Sequence, residues 1–553
     1  MTTWQKDTTG KEALYVDFLV PLEELDLEYN ARIIYKYHAR HPIHKSNSMA
    51  ESDRKDGNFY FGQSDFYMAI VKYNRGLWFA EKESEQMALL YANRSACFKN
   101  MKMFNECLID IELTKASKCP QRVMAKLDAR KIECLELQHT SIEPTNTPKL
   151  SFETHRDFPC IANVLQVEFD RQLGSRLTTT KNLQVGQTVL IEDFYFSDSY
   201  MEECSTCTIC QKLYKNLVPC EDCTLALLCH DCMQSGLHRF ECSIREFPCF
   251  TFNKELETVQ KPVIRSIFMA VQNFPNVADL MVFVEDAIEN GMESLSISDE
   301  KSKYRSFISL NPSANNIDLM WIYRIYKLLL KIPEIAAYFS GEKYRRFLMH
   351  LIKHHIRIFL RNFMIDSVIG GTLPNYFTCA IGCLSPHIQH SCTPNTILYM
   401  DHGVIVGKVI RPIKPGEQLC TVNTPALCWS FAETKDYLER INGIHCQCET
   451  PPIFNDGMLG FDCNFVLLSN SITRKGDYET DQPLRKALFK RVFTEFGHSM
   501  WTSKLMKVCL DYYIEMHKRS SIITTIRRDF KNEESAIARK RYGNKFNFNE
   551  KID

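Results

Sequence analysis

The chain carries no charge excess with which to hold a polyanion. Lys+Arg and Asp+Glu each number 67 among 553 residues, for a formal net charge of zero. That balance argues against broad electrostatic binding to nucleic acid as the main activity. Long apolar runs are also missing. No stretch of about 18 apolar residues occurs, so no membrane span is expected. Met1 to Gly10 is polar and lacks the apolar centre of a secretory signal. The length exceeds what one core needs and predicts several domains.

What the chain has instead is cysteine, concentrated in one place. Between Cys204 and Cys242, eight cysteines and two histidines fall within 39 residues. Two Cys-x2-Cys pairs, Cys207/Cys210 and Cys220/Cys223, are followed by Cys229/Cys232 and then by His238-x3-Cys242. These eight soft ligands are enough for two tetrahedral Zn²⁺ ions. A short turn points both side chains of a pair at one ion, which suits thiolate and imidazole ligation. The competing reading is a disulfide knot or scattered core cysteines, and four regularly spaced pairs argue against it. The segment mixes Glu202, Glu203, Glu221 and Asp222 with few Lys or Arg and has no basic stripe for DNA. The other cysteines, of 23 in all, are scattered. A reducing, intracellular home is expected, with cytoplasm and nucleus both open.

Residues 57 to 136 read as helices with an internal repeat. Tyr60, Phe66, Ala69 and Tyr73 recur 38 positions later as Phe98, Phe104, Cys107 and Ile111. The pattern predicts two helical hairpins, the second holding Tyr91 to Ala96 and closed by Pro120. It resembles tetratricopeptide repeats, with a loop a few residues longer than their usual period of about 34 allows. Residues 121 to 136 read as one more helix pair or a capping helix. Either the helices form a groove for a partner peptide or they brace the neighbouring domain. His139 to Lys149 reads as a linker.

Around the cysteine cluster the pattern changes to strands. Leu173 to Leu177 leads through Val185-Gly186-Gln187 to Val189-Leu190-Ile191-Glu192, which predicts a short antiparallel hairpin. Far downstream, Gln389-His390-Ser391-Cys392-Thr393-Pro394-Asn395 sits in a loop. Strand-like Thr396 to Met400 and Gly403 to Val409 follow it, then the turn Pro415-Gly416-Glu417 and the pair Cys446/Cys448. Between Phe250 and Phe377 the apolar residues recur near 3.6, as in Val263-Ile264-Ile267-Phe268-Val271. His354 and His355 lie in such a helix and read as core or surface residues, not as ligands.

Taken together, these motifs resemble the SET and MYND domain lysine methyltransferases, in particular their tetratricopeptide-bearing subfamily, over roughly residues 50 to 450. The cysteine cluster resembles the MYND finger, which in that family interrupts the SET domain. His390-Ser391-Cys392-x-Pro394-Asn395 resembles the family's Asn-His-Ser-Cys-x-Pro-Asn loop. The resemblance implies an α+β protein with a β-rich SET domain split by the zinc finger. In residue ranges it implies helical repeats over 50–136, the first SET part over 160–203, the finger over 204–242 and a helical insertion over 243–375. The SET core and post-SET motif would follow over 376–448, a C-terminal helical region over 449–525 and a polar tail over 526–553.

The resemblance further implies transfer of the S-adenosylmethionine methyl group to a protein lysine. Gly174, Gln389 and His390 would bind the cofactor. Ser391 and Asn395 would hold a pseudo-knotted crossing together. The enzyme mainly aligns donor and acceptor, and the lysine must lose its proton despite a free pKa near 10.4. Several positions depart from the family pattern. Gln389 stands where the family has asparagine, and its extra methylene moves the amide by about 1.5 Å. Asn423 stands where the family has its catalytic tyrosine, and Ser175 where it has a basic residue. Cys229-x2-Cys232 is one residue shorter than usual, with His230 beside it as a substitute ligand. Cys392, Cys446 and Cys448 could gather a third zinc, completed by Cys463 or His445, or remain thiols; Pro451 stands where another cysteine is expected. Two readings follow: a methyltransferase with a variant pocket, or a weakly active or inactive SET-fold scaffold that binds partners. A protein substrate or a proline-rich peptide is the partner implied.

Overall fold

The computed structural model describes residues 44–141, 148–170, 174–184, 186–201, 204–213, 216–224, 226–242, 260–290, 297–314, 317, 319–368, 376–391, 394–401, 403–409, 412–421, 435–436 and 438–447. Cys392, Asn423, Cys448, Cys463, the C-terminal helical region and the polar tail lie outside the described residues.

The first helices are α1 (Asn47–Gly62), α2 (Phe66–Phe79), α3 (Glu85–Asn100), α4 (Phe104–Ala116) and α5 (Gln121–Leu137). Side-chain caps start three of them. Ser46, Asp65 and Ser84 accept hydrogen bonds from the backbone N–H of Met49, Met68 and Met87 at 3.4, 3.0 and 3.2 Å, each satisfying a donor that has no partner inside the helix. The sequence repeat is also a repeat of backbone geometry. Ser64 and Lys102 occupy matching turns of the two hairpins, and both take a left-handed φ, 63° and 59°. Gly57 allows the close approach of α1 and α2, since a Cβ there would come within 2.3 Å of the Tyr73 ring. After the two hairpins stands a single helix, α5.

The strands follow as β1 (Leu165–Asp170), β2 (Gly174–Thr179), β3 (Thr188–Asp193) and β4 (Phe196–Met201). The hairpin expected between the Gly174 and Val189 segments does not form. β2 pairs antiparallel with β1, whereas β3 pairs with a strand more than 200 residues later. Within the cysteine-rich segment lie β5 (Val218–Pro219), β6 (Leu227–Leu228), α6 (His230–Gln234) and α7 (Leu237–Cys242). A helical block follows: α8 (Gln260–Asn273), α9 (Val277–Asn290), α10 (Glu300–Ile308), α11 (Leu319–Leu330), α12 (Pro333–Tyr338) and α13 (Glu342–Asn362). The chain then returns to strands β7 (Met364–Val368), β8 (Tyr376–Ile381), β9 (Gln389–His390), β10 (Thr396–Asp401), β11 (Val404–Val409) and β12 (Cys420–Thr421).

Pairing joins the two strand-bearing parts of the chain. One sheet runs β10-β11-β3 and another β4-β8-β7, all antiparallel, while β9 and β12 pair in parallel. The cysteine cluster and the helical block are therefore an excursion between strands of shared sheets. The fold class is α+β, as expected. Among the described residues, no single helix is long and apolar enough to cross a membrane.

Among the described residues, three large apolar cores hold these parts. One lies in the helical block and takes in Phe196 of β4 and Ile381 of β8. One lies between the small sheets, with Leu177, Val189, Leu190, Ile405 and Val409. The third is shared: Tyr73, Leu90, Phe98 and Cys107 of the hairpins pack in one cluster with Cys207, Leu217, Leu227 and Cys229 of the cysteine-rich segment. The helical hairpins thus brace the finger directly.

A buried polar network crosses that contact. Arg94 is wholly buried. Its guanidinium grips both carboxylate oxygens of Asp110 at 2.7 Å and donates to Asn74 Oδ1 at 2.7 Å and to the Leu217 carbonyl at 2.9 Å. Asn74 donates in turn to the Cys204 carbonyl at 2.7 Å, and Asn216 donates to Asp110 Oδ1 at 2.7 Å. Four of the five N–H donors on the fork have an acceptor, as a buried charge requires.

His355 is a core residue of α13, and His354 beside it is half-buried. His355 Nδ1 lies 2.6 Å from Ser266 Oγ and its Nε2 3.1 Å from the Tyr304 hydroxyl. Burial holds the His355 pKa well below the usual imidazole range. Burial likewise brings His387, in the turn before β9, down to about 4. A histidine kept neutral in the fold takes up a proton more readily when unfolded. Its stabilising contribution is complete above about pH 6.5 and is lost as pH falls toward the folded value. For His387 the loss by pH 5 is about 2 kcal/mol. We expect His387→Asn to flatten the fall in stability between pH 7 and pH 5 by about this amount. Urea denaturation at both values checks it; parallel curves for the two proteins would refute it.

Candidate metal centre and active site

The cysteine-rich segment is built so that distant pairs meet. Thr208 N–H donates to the Leu227 carbonyl at 2.8 Å and Leu227 N–H to Thr208 Oγ1 at 3.0 Å. This places the Cys207-x2-Cys210 turn beside β6. Gln211 closes that turn with its N–H on the Cys207 carbonyl at 2.9 Å and a left-handed φ of 58°. Cys229 and Cys232 flank the start of α6, whereas His238 and Cys242 lie on α7.

The eight side chains gather into two groups. Cys207, Cys210, Cys229 and Cys232 form one; Cys220, Cys223, His238 and Cys242 form the other. Within each group the ligand atoms lie within 4.8 Å of one another. Sulfur–sulfur distances of 3.7 Å (Cys210 to Cys229) and 3.6 Å (Cys220 to Cys242) match the roughly 3.8 Å edge of a tetrahedron with Zn–S arms of about 2.3 Å. They are far beyond a disulfide bond of about 2.05 Å. His238 turns Nε2 toward its group, 3.3 Å from Cys223 Sγ. The donor set and spacing fit two zinc ions, one held by four thiolates and one by three thiolates and an imidazole. The ligand order is interleaved, first and third pairs together and second and fourth together. His230 stays outside both groups, exposed and 3.0 Å from Gln234 Nε2. Cys204 also belongs to neither.

Four and three thiolates leave negative charge on a divalent ion, and a lysine lies near each group. Burial lowers the Lys45 pKa, opposed by the charges of Cys223, Cys220 and Cys242. Burial acts on Lys212 too, but Asp193, Cys210 and Cys229 outweigh it and raise that pKa. Beside the second group, burial would raise the Glu241 carboxyl, yet the Arg265 guanidinium and His238 bring it down to about 2.

The strand face carries the second candidate site. β9 places Gln389 and His390 opposite Cys420 and Thr421 of β12. Ser391 N–H donates to the Thr421 carbonyl at 2.7 Å. Asn395 holds the crossing from three directions: Nδ2 donates to the Gln418 carbonyl at 2.8 Å, Oδ1 accepts from Cys420 N–H at 2.7 Å, and its own N–H donates to the Cys420 carbonyl at 3.1 Å. On its other side the 416–419 segment bonds to β2, with Leu419 N–H on the Leu177 carbonyl at 2.8 Å. Ser175 Oγ lies 2.6 Å from His387 Nδ1, so the Gly174 end of β2 meets the turn that leads into Gln389 and His390. Three of the expected cofactor residues therefore sit around one junction. Gln389 and His390 are half-buried there.

Glu192 was legible only as the end of a strand. It is buried and uses Oε1 to accept from the N–H groups of Cys383 and Leu384, both at 2.6 Å, and Oε2 to accept from Ser385 at 2.9 Å. Burial raises its pKa, partly offset by the N–H groups of Ser385, Leu384 and Cys383. These bonds set the turn that carries His387 and, after it, β9. Gly382 makes room: a Cβ there would fall 2.0 Å from Glu192 Oε2. An acidic residue ending an apolar strand is the only sequence signal for this role, and it is a weak one.

Metal analysis of the purified chain should return two equivalents of zinc. Cys207→Ser and Cys220→Ser should each return about one, losing different ions; loss of the same ion in both would overturn the interleaved grouping. Gly382→Ala should cost about 1–3 kcal/mol through the displaced carboxylate, measurable by urea denaturation, and an unchanged midpoint would refute the close fit.

No protein-family model matches the chain. Among curated proteins it is similar to protein-lysine N-methyltransferase SMYD4 of Danio rerio, 24% identical over 248 residues, which is 40% of this chain and 32% of that protein. It is 32% identical to the protein of the same name from Homo sapiens over 123 residues, 22% of this chain and 15% of the relative. The Gallus gallus protein is 33% identical over 91 residues, 16% of this chain and 12% of the relative. The chain thus spans about a third or less of the length of the relatives it matches. On these matches, the chain is SMYD4-like over the part that aligns.

Proposed function

We propose that this chain is an S-adenosylmethionine-dependent protein-lysine N-methyltransferase with a variant active site. Its finger would be of the MYND type, carrying two zinc ions, and its helical hairpins would be tetratricopeptide-like. The observation that carries the reading is the crossing of the 389–395 and 416–421 segments, locked by Asn395 and joined to β2 through Ser175 and His387. Such a junction holds backbone and amide groups in fixed positions, and methyl transfer depends on alignment more than on acid–base chemistry. The matched relatives are named protein-lysine N-methyltransferases, which points the same way.

The cofactor would supply a methyl group already activated on sulfur. The junction carries a carboxamide at Gln389, an imidazole at His390 and backbone groups of β2, a set suited to an adenosine and an amino-acid end. Those residues would hold it. The polypeptide's further task is to keep the acceptor lysine neutral, and a desolvated channel does so by disfavouring the ammonium form. Glu192 and Asn395 act only by holding the loops.

A second reading keeps the fold and gives up the chemistry. Gln389 and Asn423 stand where the family carries asparagine and tyrosine, and both changes fall on donor and acceptor contacts. In that case the chain is a zinc-dependent scaffold for a protein partner, of which a proline-rich peptide at the finger is the proposed kind. Residence in cytoplasm or nucleus belongs to both readings.

Calorimetry of the full chain with S-adenosylmethionine separates them. Heat that saturates supports the enzyme, and Gln389→Asn should then tighten binding about tenfold by restoring one hydrogen bond. No heat at high ligand concentration leaves the scaffold reading.

A further inference from the structure

Arg265 on α8 is 3% exposed and reaches four acceptor atoms on three residues. Its Nε donates to Glu241 Oε1, and its Nη2 lies 3.2 Å from Glu241 Oε2. Nη1 donates to the Ser197 carbonyl of β4 at 2.8 Å. Nη2 also faces the Thr208 carbonyl at 3.4 Å, between the ligands Cys207 and Cys210 of the first group. Glu241 precedes Cys242 on α7 and is itself 3% exposed. Its Oε2 stands 3.6 Å from Nδ1 of His238. That nitrogen is buried and has no hydrogen-bond partner, while Nε2 faces the second group.

A ligating imidazole ordinarily gives its other N–H to a carboxylate or carbonyl, which fixes both tautomer and ring angle. Glu241 stands where such a partner belongs. A carboxylate buried beside three thiolates could not stay there unpaired, since like charges and desolvation both oppose it. The Arg265 fork supplies the missing cation with matched planar geometry. The same fork ends on the turn of the other group and on the strand that leads into the finger.

We propose that Arg265 is a positioning residue for both metal groups. Through Glu241 it orients His238 at the second, and through the Thr208 carbonyl it steadies the Cys207-x2-Cys210 turn of the first. It thereby ties the two ions to each other and to β4. The proposal rests on the zinc reading given above.

The test uses the full zinc-loaded chain, wild type and two variants, challenged with a chromophoric chelator. Cobalt substitution assigns each phase, because four-thiolate and three-thiolate–imidazole sites absorb differently. Glu241→Gln removes the carboxylate charge but leaves Arg265 on Thr208 and Ser197. It should speed release from the second group about tenfold and shift its cobalt bands, with the first unchanged. Arg265→Met should speed release from both by about tenfold or more. Should Arg265→Met not fold, Glu241→Gln still decides, because its effect on one group alone is required. Release rates and cobalt spectra unchanged in Glu241→Gln, whatever happens to thermal stability, would reduce the pair to a structural ion pair and overturn the proposal. A wild-type chain that binds no metal would fail the zinc reading itself, a separate and visible outcome.

Discussion

Two buried guanidinium groups govern how this protein is put together. Arg94, from the helices before the finger, ends on the Leu217 carbonyl; Arg265, from the helix after it, ends on the Thr208 carbonyl. Each is clamped by one carboxylate, Asp110 or Glu241, and each has almost no exposure. Burying a charge is costly unless every donor finds an acceptor in the right place. The forks therefore tolerate few arrangements of their neighbours. Helical hairpins, finger and helical block must all sit correctly for both to be satisfied. The apolar core shared by the hairpins and the finger adds area, but apolar contact alone is non-directional and would not set the orientation.

The strand half obeys a related constraint with the sign reversed. Glu192 is a buried carboxylate held by three backbone N–H groups. It stands on the strand just before the excursion and holds the turn just after the chain returns. The turn then delivers β9 against β12, where Asn395 locks the crossing. The chemistry proposed for this junction asks for fixed geometry more than for reactive side chains. A structure that invests its buried polar groups in loop position is suited to that demand. It is equally suited to a scaffold, and the side chains at Gln389 and Asn423 distinguish the two.

Much of this was legible because it depends on local spacing. Cys-x2-Cys announces a metal turn whatever surrounds it. The 38-residue recurrence of Tyr60, Phe66, Ala69 and Tyr73 reappears as matching turns at Ser64 and Lys102. His355 read as a core or surface residue, and the structure puts it in the core. The hairpin expected from Gly174 to Glu192 did not form because alternation identifies a strand and says nothing of its neighbour. β3 found its partner in β11, across the whole finger and helical block. Arg94 and Arg265 carry no signal of burial in the sequence, since a buried arginine is recognisable only by the carboxylate that meets it.

By itself the sequence determined the ligand types, the helical repeat, the strand-forming segments and the family resemblance. Each of these is written in residues a few positions apart, or in one fixed period. Only the tertiary structure decided that the first and third ligand pairs share one group, that the hairpins brace the finger, and that Glu192 holds a turn 191 residues away. Those outcomes depend on which distant groups satisfy one another's charge and hydrogen bonds. A local pattern carries no record of its partner until the chain has closed around both.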